Sequence, residues 1–195
     1  MTQVLESAQK PVPQPITVEQ YELLAEHGLL PENVELIQGV IVAMPPMGDA
    51  HVNSLDDLFK RCLFKFHDRA RVTSQTPVRL KAAFGEPEPD VMLCKLESRG
   101  VTNPEDVLLL IEISQSTYYQ CTYQTDRDDK LPMYAEHGIA EVWIHNLLNG
   151  KLEVYRNPRQ VSSGWVYDAP LVFGPGQMVA PLAFPEDAFA WWTNH

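Results

Sequence analysis

The feature that most restricts this chain is a segment near its middle, Val107-Leu-Leu-Leu-Ile-Glu-Ile-Ser114, in which one carboxylate, Glu112, interrupts an otherwise apolar run. A run this apolar suits a strand covered on both faces, and so the centre of a sheet. A charge within such a strand is costly unless a cation, a metal or hydrogen bonds satisfy it. Strand alternation places Glu112 on one face with Leu108 and Leu110. Taken alone, Glu112 fits a strand-end residue facing water or a buried salt bridge as well as it fits a functional site.

The surrounding pattern is α+β. Thr17 with Gln20 forms a capping box for a helix that stops at Gly28. Two apolar runs about Gln38-Gly39 predict a β-hairpin, which Pro45-Pro46 breaks. Leu55, Leu58, Phe59, Cys62, Leu63 and Phe66 recur at helical spacing between Asp49 and about Asp68. A strand from Arg71 to Lys81, interrupted at Pro77, and one opened by Pro89-Asp90 precede the apolar segment. A helix follows, starting at about Asp128 because Pro132 must lie in its first turn, and ending at His137-Gly138. Asn149-Gly150 marks a second hairpin, and the chain closes on a short helix holding Trp191 and Trp192. Residues 1–15 form an extended arm, and 16–195 one domain. The expected architecture is a central mixed β-sheet flanked by helices.

Asp90 opens an apolar strand of its own, Val91-Met92-Leu93, and stands 22 residues before Glu112. A lone Pro-Asp pair is an ordinary turn. If the two strands are neighbours, however, their carboxylates converge and need a counter-cation. Hard oxygen ligands with open positions suit magnesium or manganese. Glu35, in the first hairpin, is a third candidate ligand, direct or through water; its plainer alternative is an exposed hairpin face. Lys130 offers a positive group to steady a water or a developing phosphate charge, or else an ordinary surface i,i+4 pair with Asp126. His51, near the start of the second helix, either meets a phosphate or simply packs.

The formal net charge of −11 opposes non-specific nucleic-acid binding by the whole surface. Against it, seven basic residues and one acid lie between Lys60 and Lys81. They form either a solvated face or a landing strip for phosphates, with Arg61, Lys65 and Arg79 as the candidate contacts. Three cysteines without a CxxC spacing argue against a disulfide framework and for a reducing compartment, the cytoplasm. No apolar run approaches the ~20 residues of a membrane span.

These stretches, in this order, resemble a known family. Glu35-Leu-Ile-Gln-Gly-Val-Ile-Val-Ala-Met, Pro-Met-Gly-Asp-Ala-His51, Glu88-Pro-Asp90-Val, the segment around Glu112, and Lys130-Leu-Pro-Met-Tyr-Ala-Glu-His-Gly-Ile-Ala-Glu-Val-Trp-Ile144 are similar to the Uma-type restriction-endonuclease domains of bacteria. Those belong to the PD-(D/E)XK nuclease superfamily. The resemblance implies a restriction-endonuclease-like core and Mg²⁺- or Mn²⁺-dependent hydrolysis of DNA, with Asp90, Glu112 and Glu35 at the metal. The superfamily lysine usually follows the second acid by two positions. Here Ser114 stands in that place, and the resemblance implies that Lys130 carries the role. Family members have an acid where this chain has Gln115, and the connection from Glu112 to Lys130 is longer than usual. The alternative is a catalytically inactive nucleic-acid-binding or regulatory domain. A partner-binding domain is a third reading, suggested by the acidic total and by Trp191-Trp192. Cutting both strands of a duplex suggests a homodimer.

Overall fold

A computed structural model describes residues 14–114 and 125–191. Most of the expected N-terminal arm, Trp192, and the polar connection after Ser114 lie outside the described residues.

The apolar segment is β5 (Val107–Ser114), and it lies inside a six-stranded sheet of order β10-β7-β6-β5-β4-β3. The other strands are β3 (Ala70–Thr73), β4 (Val91–Lys95), β6 (Glu141–Asn146), β7 (Lys151–Arg156) and β10 (Leu171–Phe173). The β5–β6 pair is parallel and the remaining pairs are antiparallel, so the sheet is mixed as expected. A parallel pair needs a crossover, and helix α3 (Leu131–Glu136) belongs to it.

Each face of the sheet is covered by a helix. Leu131, Met133, Tyr134 and Ala135 of α3 pack with Met92, Leu110, Val142 and Ile144 on one face. Helix α2 (Asp49–Phe66) lays Leu58, Cys62 and Phe66, spaced four apart, on Val91, Leu93, Leu109 and Ile111 of the other. Helix α1 (Val18–Glu26) is capped by Thr17 and Gln20 as the sequence implies. Its Val18 and Tyr21 bury Leu36 of the hairpin β1 (Val34–Ile37) and β2 (Val40–Ala43).

Register aims the two strand acids at the same face. Met92 pairs with Leu110, and Val91 with Ile111, so one step further Asp90 stands opposite Glu112, on the α3 side. Leu108 does not share that face. Leu93 pairs with Leu109 but Cys94 pairs with Val107, which leaves Leu108 as the extra residue of a β-bulge. The bulge resets the alternation, and Leu108 packs on the α2 side.

Three further expectations are corrected. The strand expected over 71–81 ends at Thr73, where Gln75 turns left-handed (φ 46°) and Pro77 has no amide to donate. The segment before α3 is already helical ahead of Asp128, as a π-helical turn (Thr125–Lys130). Its wider coil accommodates Pro132, whose ring would crowd a regular helix. Among the described residues the expected terminal helix does not form: Phe189–Ala190 form strand β12 beside β11 (Met178–Val179), and Trp191 follows it. Burial decides this. The indole of Trp191 stands edge-on to Trp143 at 5.9 Å and to His145 at 5.0 Å, beneath the α2 face. The remaining hairpin is β8 (Arg159–Val161) and β9 (Gly164–Val166).

The β1–β2 turn is tightly held. Gly39 has φ 78°, and a Cβ there would lie 2.3 Å from Pro15 Cβ. Gly39→Ala therefore combines left-handed strain with overpacking, together about 2 kcal/mol. Thermal melting should show Tm lower by about 4–8 °C; a change under 1 °C would show that Pro15 moves aside freely.

Candidate active site

Four elements meet at the α3 face of the sheet. Strand β1 brings Glu35: alternation sends Leu36 toward α1 and Glu35 the other way, with Ile37. The hairpin is fastened to the body where the Glu86 amide donates to the Leu36 carbonyl at 2.8 Å and the Gly39 amide to Phe84 at 2.7 Å. Glu35 is thereby buried, not displayed on an open hairpin face. β4 and β5 bring Asp90 and Glu112. The segment running into α3 brings Asp126, Lys130 and Tyr134, four residues apart and so on one side of its coil.

Lys130 is at the centre, 4% exposed. Its Nζ lies 3.0 Å from Glu35 Oε2, 3.5 Å from Glu112 Oε1 and 3.6 Å from Asp126 Oδ1. The pair with Asp126 therefore exists, but inside the protein and shared with two further acids. The Tyr134 hydroxyl donates to Glu112 Oε1 at 2.7 Å, and the Ser114 hydroxyl to Asp126 Oδ2 at 2.6 Å. Asp90 is held from both sides: the Ile113 amide donates to Oδ2 at 2.7 Å, and His51 Nε2 lies 2.8 Å from Oδ1. His51 thus reaches the carboxylates from the first turn of α2, although the body of that helix covers the opposite face.

Charge is unbalanced in this space. Burial drives Glu112 well above the ordinary carboxylate range; Lys130 pulls it back, while Asp126, Asp90 and Glu35 push it further up. Burial likewise raises Asp126 to about 6 against the opposing pull of Lys130 and the Ser114 hydroxyl. Burial disfavours the Lys130 ammonium, yet Glu112, Glu35 and Asp126 outweigh it and hold the proton on well past the usual lysine range. For His51, burial works against the imidazolium, but the hydrogen bond and charge of Asp90 prevail and raise its pKa. Glu35 Oε2, though close to the ammonium, lacks a directed hydrogen bond. Among the described residues, no three His, Cys, Asp or Glu side chains converge as they stand into a cation-binding group.

The family profile described as Uma2, "Putative restriction endonuclease", matches residues 18–190. The chain belongs to the Uma2 family. A crystal structure from Anabaena variabilis, described as a putative nuclease belonging to DUF820, superposes with a TM-score of 0.65 at 18% identity, over 90% of this chain and 95% of that one. That likeness establishes the nuclease-like fold. No curated protein matches.

In this Uma2-family chain, Glu35, Glu112 and Lys130 come together directly, and His51 joins through Asp90. The long connection after Ser114 does not carry Lys130 out of reach of the acids. The basic strip does not assemble there. Arg61 donates to the Ala190 carbonyl at 3.4 Å, Lys65 pairs with Asp187 at 3.5 Å, and Arg79 pairs with Glu22 of α1 at 2.5 Å. Along α2, Arg61 and Lys65 lie about 15 and 21 Å beyond His51. Lys65 and Arg79 are drawn to acids distant in sequence and Arg61 to a backbone carbonyl, so the three expected phosphate contacts are divided between two separate places.

Two members of the site escaped the sequence reading, Asp126 and Tyr134. Their signal was present as a polar stripe at i, i+4 and i+8 around Lys130, on the same side of a helix that buries Leu131 and Met133.

The raised acids carry a stability cost with a defined sign. The folded chain keeps a proton on Glu112 in a range where the unfolded chain has lost it, so stability falls as pH rises from ~4.5 through the raised value. Glu112→Gln removes that loss while keeping an oxygen for Tyr134. In metal-free buffer its Tm should exceed that of the wild type at pH 8. The gap should close toward pH 4.5; a gap independent of pH would refute the assignment.

Proposed function

We propose that this chain is a divalent-metal-dependent endonuclease that hydrolyses phosphodiester bonds in DNA, with Asp90 and Glu112 holding Mg²⁺ or Mn²⁺ and Glu35 assisting. The single observation that carries this reading is the burial of Glu35, Glu112 and Asp126 around one ammonium, with Asp90 on the same sheet face. The donor set fits the ion. It consists of hard carboxylate oxygens in excess of the cations beside them, and buried Glu35 Oε2 has the Lys130 ammonium 3.0 Å away but no directed hydrogen bond. A bound Mg²⁺ would supply Lewis acidity toward the phosphate and the attacking water.

The chain's own groups do the positioning. Tyr134 fixes the rotamer of Glu112, and the Ile113 amide with His51 fixes that of Asp90, so both acids are set before substrate arrives. Lys130, held protonated by its neighbours, keeps a permanent positive charge where a pentavalent phosphate gathers negative charge. His51, at the N-terminal end of α2 with its Nε2 turned to Asp90, would meet a phosphate oxygen through the remainder of its ring. The overall charge of −11 opposes non-specific binding of nucleic acid over the whole surface. Cutting both strands at one locus takes two such centres, which a homodimer provides. No helix among the described residues is long and apolar enough to cross a membrane.

Nicking of supercoiled plasmid should require Mg²⁺ or Mn²⁺ and fall about 100-fold or more in Asp90→Asn, Glu112→Gln and Lys130→Met. Equal nicking by all four proteins would identify a contaminant and end the enzyme claim. Metal binding by the wild type without nicking of any DNA would select the catalytically silent alternative.

A further inference from the structure

The six-stranded sheet ends in two edges, and they differ. At β3 the edge is guarded by charge: Arg71 lies within the strand, Arg69 just ahead of it, and the Arg71 guanidinium donates to the Gly100 carbonyl at 3.1 Å. At the other end β10 pairs with β7, and among the described residues no strand pairs with its outer side. Leu171 is 53% exposed there and Val172 52%. The prolines that would blunt this edge, Pro170 and Pro175, stand outside the strand, so all three of its residues keep their amides.

Charge decides what can cover this edge. From Ala169 to Pro185 the chain carries no Asp, Glu, Lys, Arg or His, its longest such run, and the run also exposes Met178 and Leu182. With a net charge of −11, two copies of this chain repel one another over most of their surfaces. They approach most readily where charge is missing, and this run is that place. A basic partner would seek the acids and a nucleic acid the cations, and β10 offers neither.

We infer that β10 pairs antiparallel with β10 of a second copy, across a two-fold axis at Val172, joining the two sheets into one. Such a contact is self-complementary and closes at two chains. Phe173 packs on the α2 face, so alternation puts Leu171 on that face and Val172 on the α3 face. Centring on Val172 sets Leu171 of each copy opposite Phe173 of the other, and Val172 opposite itself, so every cross-strand pair is apolar. An axis at Leu171 or Phe173 would bring Pro170 or Gly174 into the ladder. The inference gives the homodimer proposed above its surface and register, and it places both carboxylate centres on the same side of the joined sheet. It holds whether or not those centres cut DNA.

Sedimentation equilibrium of the full chain, without DNA or metal, tests this. The wild type should have the mass of two chains, and Val172→Lys half of it. The substitution takes the net charge from −11 to −10, so stronger general repulsion would not explain the loss. Leu23→Lys, on α1 and comparably exposed at 55%, should remain a dimer. A wild-type monomer at every concentration, a dimeric Val172→Lys, or a monomeric Leu23→Lys would overturn the inference. Should circular dichroism show Val172→Lys unfolded, Leu171→Lys takes its place with the same expectation. Nicking is read apart: a dimer that cuts no DNA with any divalent ion removes the nuclease reading alone, and a monomer that nicks removes the interface alone.

Discussion

Everything at this centre depends on burying an ammonium among carboxylates. Removing Lys130 from water is expensive, and so is removing Glu35, Glu112 and Asp126. Neither side is tolerable alone. Placed together they remain short of positive charge, and the shortfall appears as the raised proton affinity of Glu112 and Asp126. A folded chain that merely needed stability would fill such a space with leucine and methionine, as the rest of the same sheet face does. Unbalanced charge kept at one buried place is where perturbed proton affinities gather, and it is the ground on which this cluster is proposed as a site.

The fold supplies this arrangement with few devices. Pairing register sets Asp90 opposite Glu112, the docked hairpin swings Glu35 in from the side, and the helical coil stacks Asp126, Lys130 and Tyr134. The α2 helix covers the opposite face and still contributes His51 from its first turn, which meets Asp90 just ahead of β4. Apolar packing on both faces fixes these elements, so the polar groups need only short reaches.

What was legible in the sequence was what local chemistry decides. The capping box at Thr17, the turns at Gln38-Gly39 and Asn149-Gly150, and the central strand with its out-of-place Glu112 all follow from neighbours a few residues away. Asp90 and Glu112 stood out because a carboxylate in an apolar strand demands a reason. The rest depended on tertiary partners. Glu35 looked like an exposed hairpin residue until the contacts of Leu36 and Gly39 with the 84–86 segment buried it. Arg61, Lys65 and Arg79 looked like one strip because nothing near them in sequence reveals Ala190, Asp187 or Glu22. The bulge at Leu108 has no local marker at all, and Trp191 followed the surface that covers it, beside Trp143 and His145.

The crossover between β5 and β6 has an evolutionary reading. Lys130 is located by the docking of Leu131, Met133 and Tyr134 onto the sheet, not by the number of residues that lead to it from Ser114. Chain length before that helix is thus uncoupled from the chemistry. A connection of a different length would leave the Lys130 ammonium in place, at a loop-closure cost that grows only slowly with length, so this stretch can vary among relatives while the buried charges keep their places.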